Sequence, residues 1–418
     1  MKLLPLTLRS AWNRRLSLSL TVVSIALSIM LLLGVDMIRK QAKTNFINTI
    51  SQTDLIVGAR SGPLNLLLYS VFRIGSATNN VSWSAYQDIS QLPQVKWSVP
   101  LSLGDSHRGY RVLGTNQDYF RHYRFGDQRE LSFQAGKPFE QVYDVVLGSD
   151  VAEALEYQPG DQIILSHGLS STKFSSHDDK PFTVSGILAR TGTPVDRTVH
   201  VPLEGISAMH VDWQSGSRSA LRLTAEQALH MDLQPKEITA FMLGLNNRIA
   251  TFRVQRQINE YAEEPLLAII PGATLSTLWQ LLKSFEMILL AVSALVVLAG
   301  LAGMLTTIIS TLNERRREMA VLRAIGAHPY HIVMLFMMET VMIVSLGIAL
   351  GIVLLYVLLF SLQPVITEWL GVSLAISGLD SAQGLVIGGI LVLALLISLI
   401  PGVIAYRRSL QDGLTIRI

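Results

Sequence analysis

Three groups of residues have the types and spacing to do chemistry. The first is His167, His177, His200 and His210 in mid-chain, with Asp178, Asp179, Asp196 and Asp212 near them in sequence. Imidazole with carboxylate suits zinc. No pair has a tight ligand spacing such as i, i+4 on one helix, and His107 and His122 are weaker still, so no metal site is expected. The second group is three acids in or beside apolar runs, Asp36, Glu286 and Glu339. A charge inside a membrane segment is costly and marks function by default. Asp36 and Glu286 fall at the ends of their runs, near water, whereas Glu339 falls about two turns inside its run. Two readings stand for Glu339: it pairs with an arginine of the segment 313–331, or it reaches water at the inner surface. The third group is that segment itself, Asn313-Glu-Arg-Arg-Arg-Glu-Met-Ala-Val-Leu-Arg-Ala-Ile-Gly-Ala-His-Pro-Tyr-His331.

The catalytic signatures that are missing narrow the function. The chain has no Gly-x-x-x-x-Gly-Lys-Ser/Thr phosphate loop, no Gly-x-Ser-x-Gly elbow and no His-Glu-x-x-His. Hydrolysis of ATP by a P-loop mechanism within this chain is excluded. With no cysteine, a disulfide framework and a cysteine metal site are excluded too. The net charge of +3 is small, and no basic run interleaved with aromatics points to nucleic acid.

The elements around these residues are those of a membrane protein with one large domain outside the bilayer. The 418 residues are 50% hydrophobic with a mean hydropathy of +0.39, too apolar for a soluble chain and too polar for one that lies wholly in the membrane. About 20 apolar residues span a bilayer. Such runs predict spans at 16–38, within a long helix 274–312 that starts as a stalk, at 332–362 and at 382–405. Residues 1–15 read as an amphipathic helix on the inner surface, with Leu3, Leu4, Leu6, Leu8 and Trp12 as apolar area and Arg9, Arg14 and Arg15 as charge. Arginines concentrate at residues 1–15, in 313–331 and in the tail 406–418, while 39–283 carries 23 basic and 23 acidic residues and is neutral. Short basic loops stay in the cytoplasm, so both ends and 313–331 are inside, and 39–273 and 363–381 outside. Arg39, Lys40 and Lys43, just beyond the first span, run against this rule.

From Asp54 to about Pro271, β-rich runs alternate with helical stretches. Strands are expected at 54–57, 110–113, 143–147, 162–165, 182–188 and 198–201, and helices at 83–92, 150–155, 203–210 and 249–264. That is an α+β domain, with Tyr157-Gln-Pro-Gly-Asp161 and Phe182–Leu188 in a small β-rich subdomain. Leu64-Asn-Leu-Leu-Leu-Tyr-Ser-Val-Phe72 is too short to span; it reads as a buried helix, or as a surface for lipid, an acylated substrate or a second subunit.

Within 313–331, Glu314 to Ile325 lacks Pro and Gly, and Met319, Leu322 and Ile325 recur at helical spacing with Val321 beside them. The pattern predicts a short amphipathic helix beneath the membrane. Gly326 is placed to end it and Pro329 to open the next helix. Gly347-x-x-x-Gly351 and Gly300-x-x-Gly303 permit close helix packing, and Pro401 should kink the fourth span.

The stretch Asn313–Ala327 resembles the signature loop of the FtsX-like, MacB-type permeases, the mechanotransmission class of ABC transporters. The likeness continues through Ile332-Val-Met-Leu-Phe-Met-Met-Glu339 and Leu346-Gly-Ile-Ala-Leu-Gly351, and at Ile400-Pro-Gly-Val-Ile-Ala-Tyr-Arg-Arg408. It is specific over about 275–418 and a likeness of layout elsewhere. It implies four transmembrane helices plus a large α+β periplasmic domain of MacB type with a β-rich subdomain. It implies a permease without nucleotide-binding motifs, binding no cofactor itself, with ATP and Mg²⁺ on a separate dimeric ABC ATPase. Contact with that ATPase would fall on Glu314, Arg315, Arg317, Glu318, Met319, Leu322, Arg323, Ala324, Ile325, Gly326 and Ala327, supported within the bilayer by Glu339, Gly347, Gly351 and Pro401. Further implied partners are a second copy or a homologous permease, membrane lipid, and a periplasmic adaptor or substrate-delivery protein. The implied site is the bacterial inner membrane, and the work is export or extraction of a substrate. The alternative is an FtsX-like regulator that acts on a periplasmic partner without transport.

Overall fold

The computed structural model describes residues 14–126, 128–168, 179–214, 217–218, 223–312, 321, 326–370 and 378–411. In chain order, α1 (Arg15–Asn48) precedes β1 (Leu55–Ala59), α2 (Pro63–Ser70), β2 (Val81–Ser82), α3 (Trp83–Ser90), β3 (Val95–His107) and β4 (Tyr110–Thr115). Next come α4 (Asp118–His122), β5 (Arg124–Phe125), β6 (Arg129–Glu130), β7 (Phe133–Gly136), β8 (Asp144–Leu147), α5 (Ser149–Leu155), β9 (Gln162–Ile163) and β10 (Ser166–His167). They are followed by β11 (Phe182–Leu188), β12 (Thr198–Pro202), α6 (Leu203–His210), β13 (Trp213–Gln214), β14 (Ser217–Arg218), α7 (Ala225–Leu229), β15 (Glu237–Ile238), β16 (Ala240–Leu245), α8 (Thr251–Asn259) and β17 (Leu266–Ile269). Three long helices close the described chain: α9 (Pro271–Thr311), α10 (Pro329–Leu370) and α11 (Ser381–Gln411).

The chain divides into two units, one of residues 1–41, 283–365 and 374–418 and the other of 42–282 and 366–373. Four helices, which lie in the first unit except for residues 271–282, are long and apolar enough to cross a membrane, over Arg15–Gln41, Pro271–Thr311, Tyr330–Val365 and Ser381–Ala405. The expected amphipathic helix at 1–15 lies outside the described residues except for its last two. The core joins Ile25, Ile29 and Leu33 of α1 to Leu301, Met304 and Ile308 of α9, to Phe336, Ile343, Val344 and Leu355 of α10, and to Ile390 and Ala394 of α11. Large apolar side chains also point outward, among them Leu20 and Leu27 on α1, Phe285 and Leu295 on α9, Phe360 on α10 and Leu385 on α11. A helix that is apolar all round belongs in lipid.

In lipid, helix association relies on close packing more than on the hydrophobic effect. A Cβ placed on Gly347 would lie 2.6 Å from Ile25, and one on Gly351 would lie 2.6 Å from the carbonyl oxygen of Ala26. These two glycines let α10 seat directly on α1. Gly300 of α9 faces Ser28 of α1 at 3.0 Å, while the companion Gly303 has nothing within 4 Å. Ser28 Oγ lies 2.8 Å from Ser24 O and 3.2 Å from Val296 O, so its one proton is shared between a carbonyl of α1 and a carbonyl of α9.

In the second unit most strands join one sheet, ordered β17-β1-β16-β3-β4-β12-β8-β11-β7. β3 is its spine. Its first half pairs with β16 from Val95↔Leu245 to Leu101↔Ala240, and its second half pairs with β4 from Ser102↔Gly114 to His107↔Tyr110. One half of the sheet carries α3 and α8 over a core of Leu55, Val57, Phe241, Leu243, Val254 and Ile258. The other surrounds Val145, Leu147, Phe182, Val184, Val199 and Val201. The β-rich part, which includes β9 and β11, is continuous with the rest of the sheet through β3. The strands expected at 110–113, 143–147, 182–188 and 198–201 are present, whereas β3, β16 and β17 add to the expected set.

The apolar run 64–72 is a buried helix. Leu66 and Leu67 of α2 are fully covered and Tyr69 nearly so. Burial of each such leucine stabilises the unit by roughly 1.5–3 kcal/mol, which favours this place over a surface for lipid or substrate.

Candidate coupling site

The residues expected to meet an ATPase fall between α9 and α10. Glu314, Arg315, Arg317, Glu318, Met319, Leu322, Arg323, Ala324 and Ile325 lie outside the described residues. Their two flanks are described. On the downstream side Gly326 takes φ +91°, a left-handed conformation that favours glycine and suits a helix end. Ala327 is buried. Pro329 then opens α10, where Pro at the first helical position lacks an N–H that would be unpaired anyway. The His331 side chain accepts from the His328 N–H at 3.1 Å, and the His331 N–H closes the turn onto His328 O at 2.9 Å, so one side chain caps the first turn of α10.

Glu339 is 1% exposed. Arg14, immediately before α1, donates from Nη2 to Glu339 Oε1 at 2.7 Å and from Nη1 to Thr311 Oγ1 at 2.9 Å. Of the two readings for Glu339, an arginine of 313–331 or surface water, neither foresaw this partner. One guanidinium from the start of the first span ties the last residue of α9 to α10, on both flanks of the basic loop. Its planar fork suits such a two-point grip. Arg14 resembles any positive-inside residue in the sequence, so its role was not legible there.

Gly347 and Gly351 hold α10 against α1, as described. Pro401 is buried within α11, which runs through it to Gln411, and the missing N–H removes one backbone bond from that helix. Next to it, a Cβ on Gly402 would lie 3.1 Å from Val333 Cγ1, so α11 closes on the first turns of α10.

At the opposite ends of the spans sits a second ionic group. Asp36 receives Arg39 at 2.8 Å, Lys40 at 2.7 Å and the amide of Gln383 at 2.9 Å. Lys40 also reaches Asp380 at 2.5 Å, and Arg39 reaches Glu286 at 3.5 Å. Of the three basic residues that ran against the charge rule, Arg39 and Lys40 are therefore paired with acids at Asp36, Glu286 and Asp380 in the same unit.

The mid-chain histidines separate into two kinds. His200 is fully buried beside Tyr119 and Phe120, and burial, with the Arg73 guanidinium nearby, pushes its imidazole down to about 3. It is a core residue. His107 is also buried, between Ile164 O at 2.7 Å and Tyr157 Oη at 3.1 Å. His167 and His210, by contrast, converge on Asp105. His167 Nδ1 donates to Asp105 Oδ1 at 2.6 Å, and His210 Nε2 lies 3.1 Å from His167 Nδ1 and 3.6 Å from the same Asp105 oxygen. Burial would raise the Asp105 carboxyl, but the hydrogen bonds and charges of the two histidines outweigh it and hold it at about 2. The hydrogen bond to Asp105 raises His167. Asp178 and His177 lie outside the described residues, and Asp196 and Asp212 serve elsewhere: Asp196 accepts from the Thr191 and Gly192 N–H groups, and Asp212 pairs with buried Lys180 at 2.6 Å.

Two family models match. The MacB-like periplasmic core domain covers residues 18–261, and the FtsX-like permease C-terminal domain covers 290–412. The chain belongs to the FtsX/MacB-type ABC permease family. Its four candidate spans and mixed α/β outer unit are the layout expected of that family. This permease is 23% identical over 273 residues to the macrolide export ATP-binding/permease protein MacB of Wolinella succinogenes, covering 64% of this chain. It spans 38% of that relative's length. Among solved structures, it is similar to the periplasmic region of MacB from Actinobacillus actinomycetemcomitans at 12% identity and a TM-score of 0.34, over 57% of this chain and 95% of that one. It is also similar to the extracellular domain of the transporter YknZ from Gram-positive bacteria at 13% identity and a TM-score of 0.31, over 52% and 99%.

Proposed function

We propose that this permease couples ATP hydrolysis on a separate ABC ATPase chain to movement of its outer unit, for export or extraction of a substrate at the inner membrane. The observation that carries the reading is the Arg14 grip on Glu339 and Thr311. The basic loop is bounded by Thr311 and Pro329, and the two helices it joins share one guanidinium with the start of α1. Force applied to the loop then reaches three helices together. From α9 it continues along the chain into β17, which ends at Ile269 with one residue between it and Pro271, and which forms one end of the sheet. With no phosphate loop in the sequence, ATP and Mg²⁺ belong to the partner chain. The functional unit is two permease copies, or one copy with a homologue, on an ATPase dimer, surrounded by lipid. A periplasmic adaptor or substrate-delivery protein would meet the outer unit.

The loop docks through its apolar face. Burying one such side chain contributes roughly 1.5–3 kcal/mol, so replacing it with a charge weakens docking about 10-fold or more. Leu322→Asp and Ala324→Asp should abolish stimulated ATPase turnover and partner pull-down from nanodiscs, with insertion intact. Arg315→Ala at the rim should be milder. Wild-type binding and turnover in both aspartate variants would overturn the coupling role of the loop.

A further inference from the structure

We propose that Asp105, His167 and His210 form a binding site for a divalent cation of the zinc class in the outer unit. The inference is independent of the coupling role. It also replaces the expectation of no metal, which rested on local spacing alone. Asp105 comes from β3, His167 from β10 paired beside it, and His210 from the last turn of α6. The three ligand atoms all lie within 4.8 Å of one another.

The donor set selects the cation. Two imidazoles with one carboxylate suit zinc and its neighbours, whereas magnesium and calcium prefer all-oxygen cages. Zinc bonds of about 2.0–2.2 Å place tetrahedral ligand atoms roughly 3.3–3.5 Å apart. The separations here are 2.6, 3.1 and 3.6 Å, so small rotations of two surface histidines suffice. The hydrogen bonding points the same way. His167 Nδ1 carries at most one proton, and it faces both Asp105 Oδ1 and His210 Nε2. One proton cannot make a full hydrogen bond along both lines, whereas a cation between the three atoms engages all of them. Asp105 is nearly buried and cannot turn away, while His167 is half-exposed and keeps a path open to solvent.

The bound cation would clip β3, β10 and α6 together, elements joined here by side chains 62 and 43 residues apart in sequence. The test uses the full chain in detergent, purified without a histidine tag and stripped with chelator. Titration with Zn²⁺ should give one saturable site per chain and raise the melting temperature. His167→Ala, His210→Ala and Asp105→Asn should each weaken that site at least 10-fold and remove the thermal shift, while His230→Ala should bind as wild type. If an alanine variant melts abnormally before zinc is added, His210→Gln replaces it. A wild-type chain with no saturable site and no thermal shift overturns the proposal. So does undiminished binding in His167→Ala and His210→Ala.

Discussion

Arg14 Nη2 stands 2.7 Å from Glu339 Oε1, with Glu339 1% exposed. Two charges so placed have given up much of their hydration, and each depends on the other. Removing one member of a buried pair typically costs about 3–5 kcal/mol, because the remaining charge is left uncompensated. Glu339→Gln and Arg14→Gln should each lower the melting temperature of the permease in nanodiscs. The double variant should recover part of the loss, as coupled sites do. Strict additivity of the two single effects would show that the pair does not hold the helices.

The glycine contacts make a second prediction with an internal control. Gly351→Leu drives a side chain into Ala26 and Ile29, and Gly347→Leu into Ile25. Overpacking of this kind costs about 1–3 kcal/mol or forces the helices apart. Gly303→Leu meets nothing within 4 Å and should be silent. Thermal unfolding of the three variants in the same lipid decides the matter, and equal effects at 303 and 351 would count against the packing of α10 on α1.

A third prediction concerns acid. Burial holds His200 at about 3, well below its ordinary value near 6.5, and lowers His107 in the same direction. The unfolded chain therefore binds more protons than the folded one between those values. Stability contributed by the neutral ring of His200 is complete above about pH 6.5 and falls as pH drops toward 3, by up to about 1.4 kcal/mol per pH unit, and His107 acts in the same direction. His200→Phe should unfold near the wild-type denaturant concentration at pH 7.5, yet lose stability less steeply on acidification. Parallel acid limbs for wild type and variant would contradict this role of His200.

Much of the architecture was legible because long apolar runs and their flanking charges obey simple rules. All four spans and a left-handed glycine at 326 followed from composition, length and backbone freedom, and the run 64–72 took the buried one of its two readings. The strand β3 was not foreseen. It contains Pro100, Gly104 and Asp105, residues that local propensity places in turns, and it exists because strands on both sides pair with it. The meeting of His167 and His210 at Asp105 was hidden for a related reason: ligand spacing in sequence reveals sites within one element, and these donors belong to three. Arg39 and Lys40 broke the charge rule, since the rule counts charges and cannot know that Asp36, Glu286 and Asp380 neutralise them.

β3 also limits how the outer unit can be divided. Its 13 residues are shared, the stretch from Val95 to Leu101 lying along β16 and the stretch from Ser102 to His107 along β4. Cutting away either half of the sheet would leave half of this strand with bare N–H and C=O groups and no neighbour. Such an edge recruits other chains. Fragments designed to isolate one half should therefore aggregate or swap strands, and gene fusions within this family would exchange the outer unit whole.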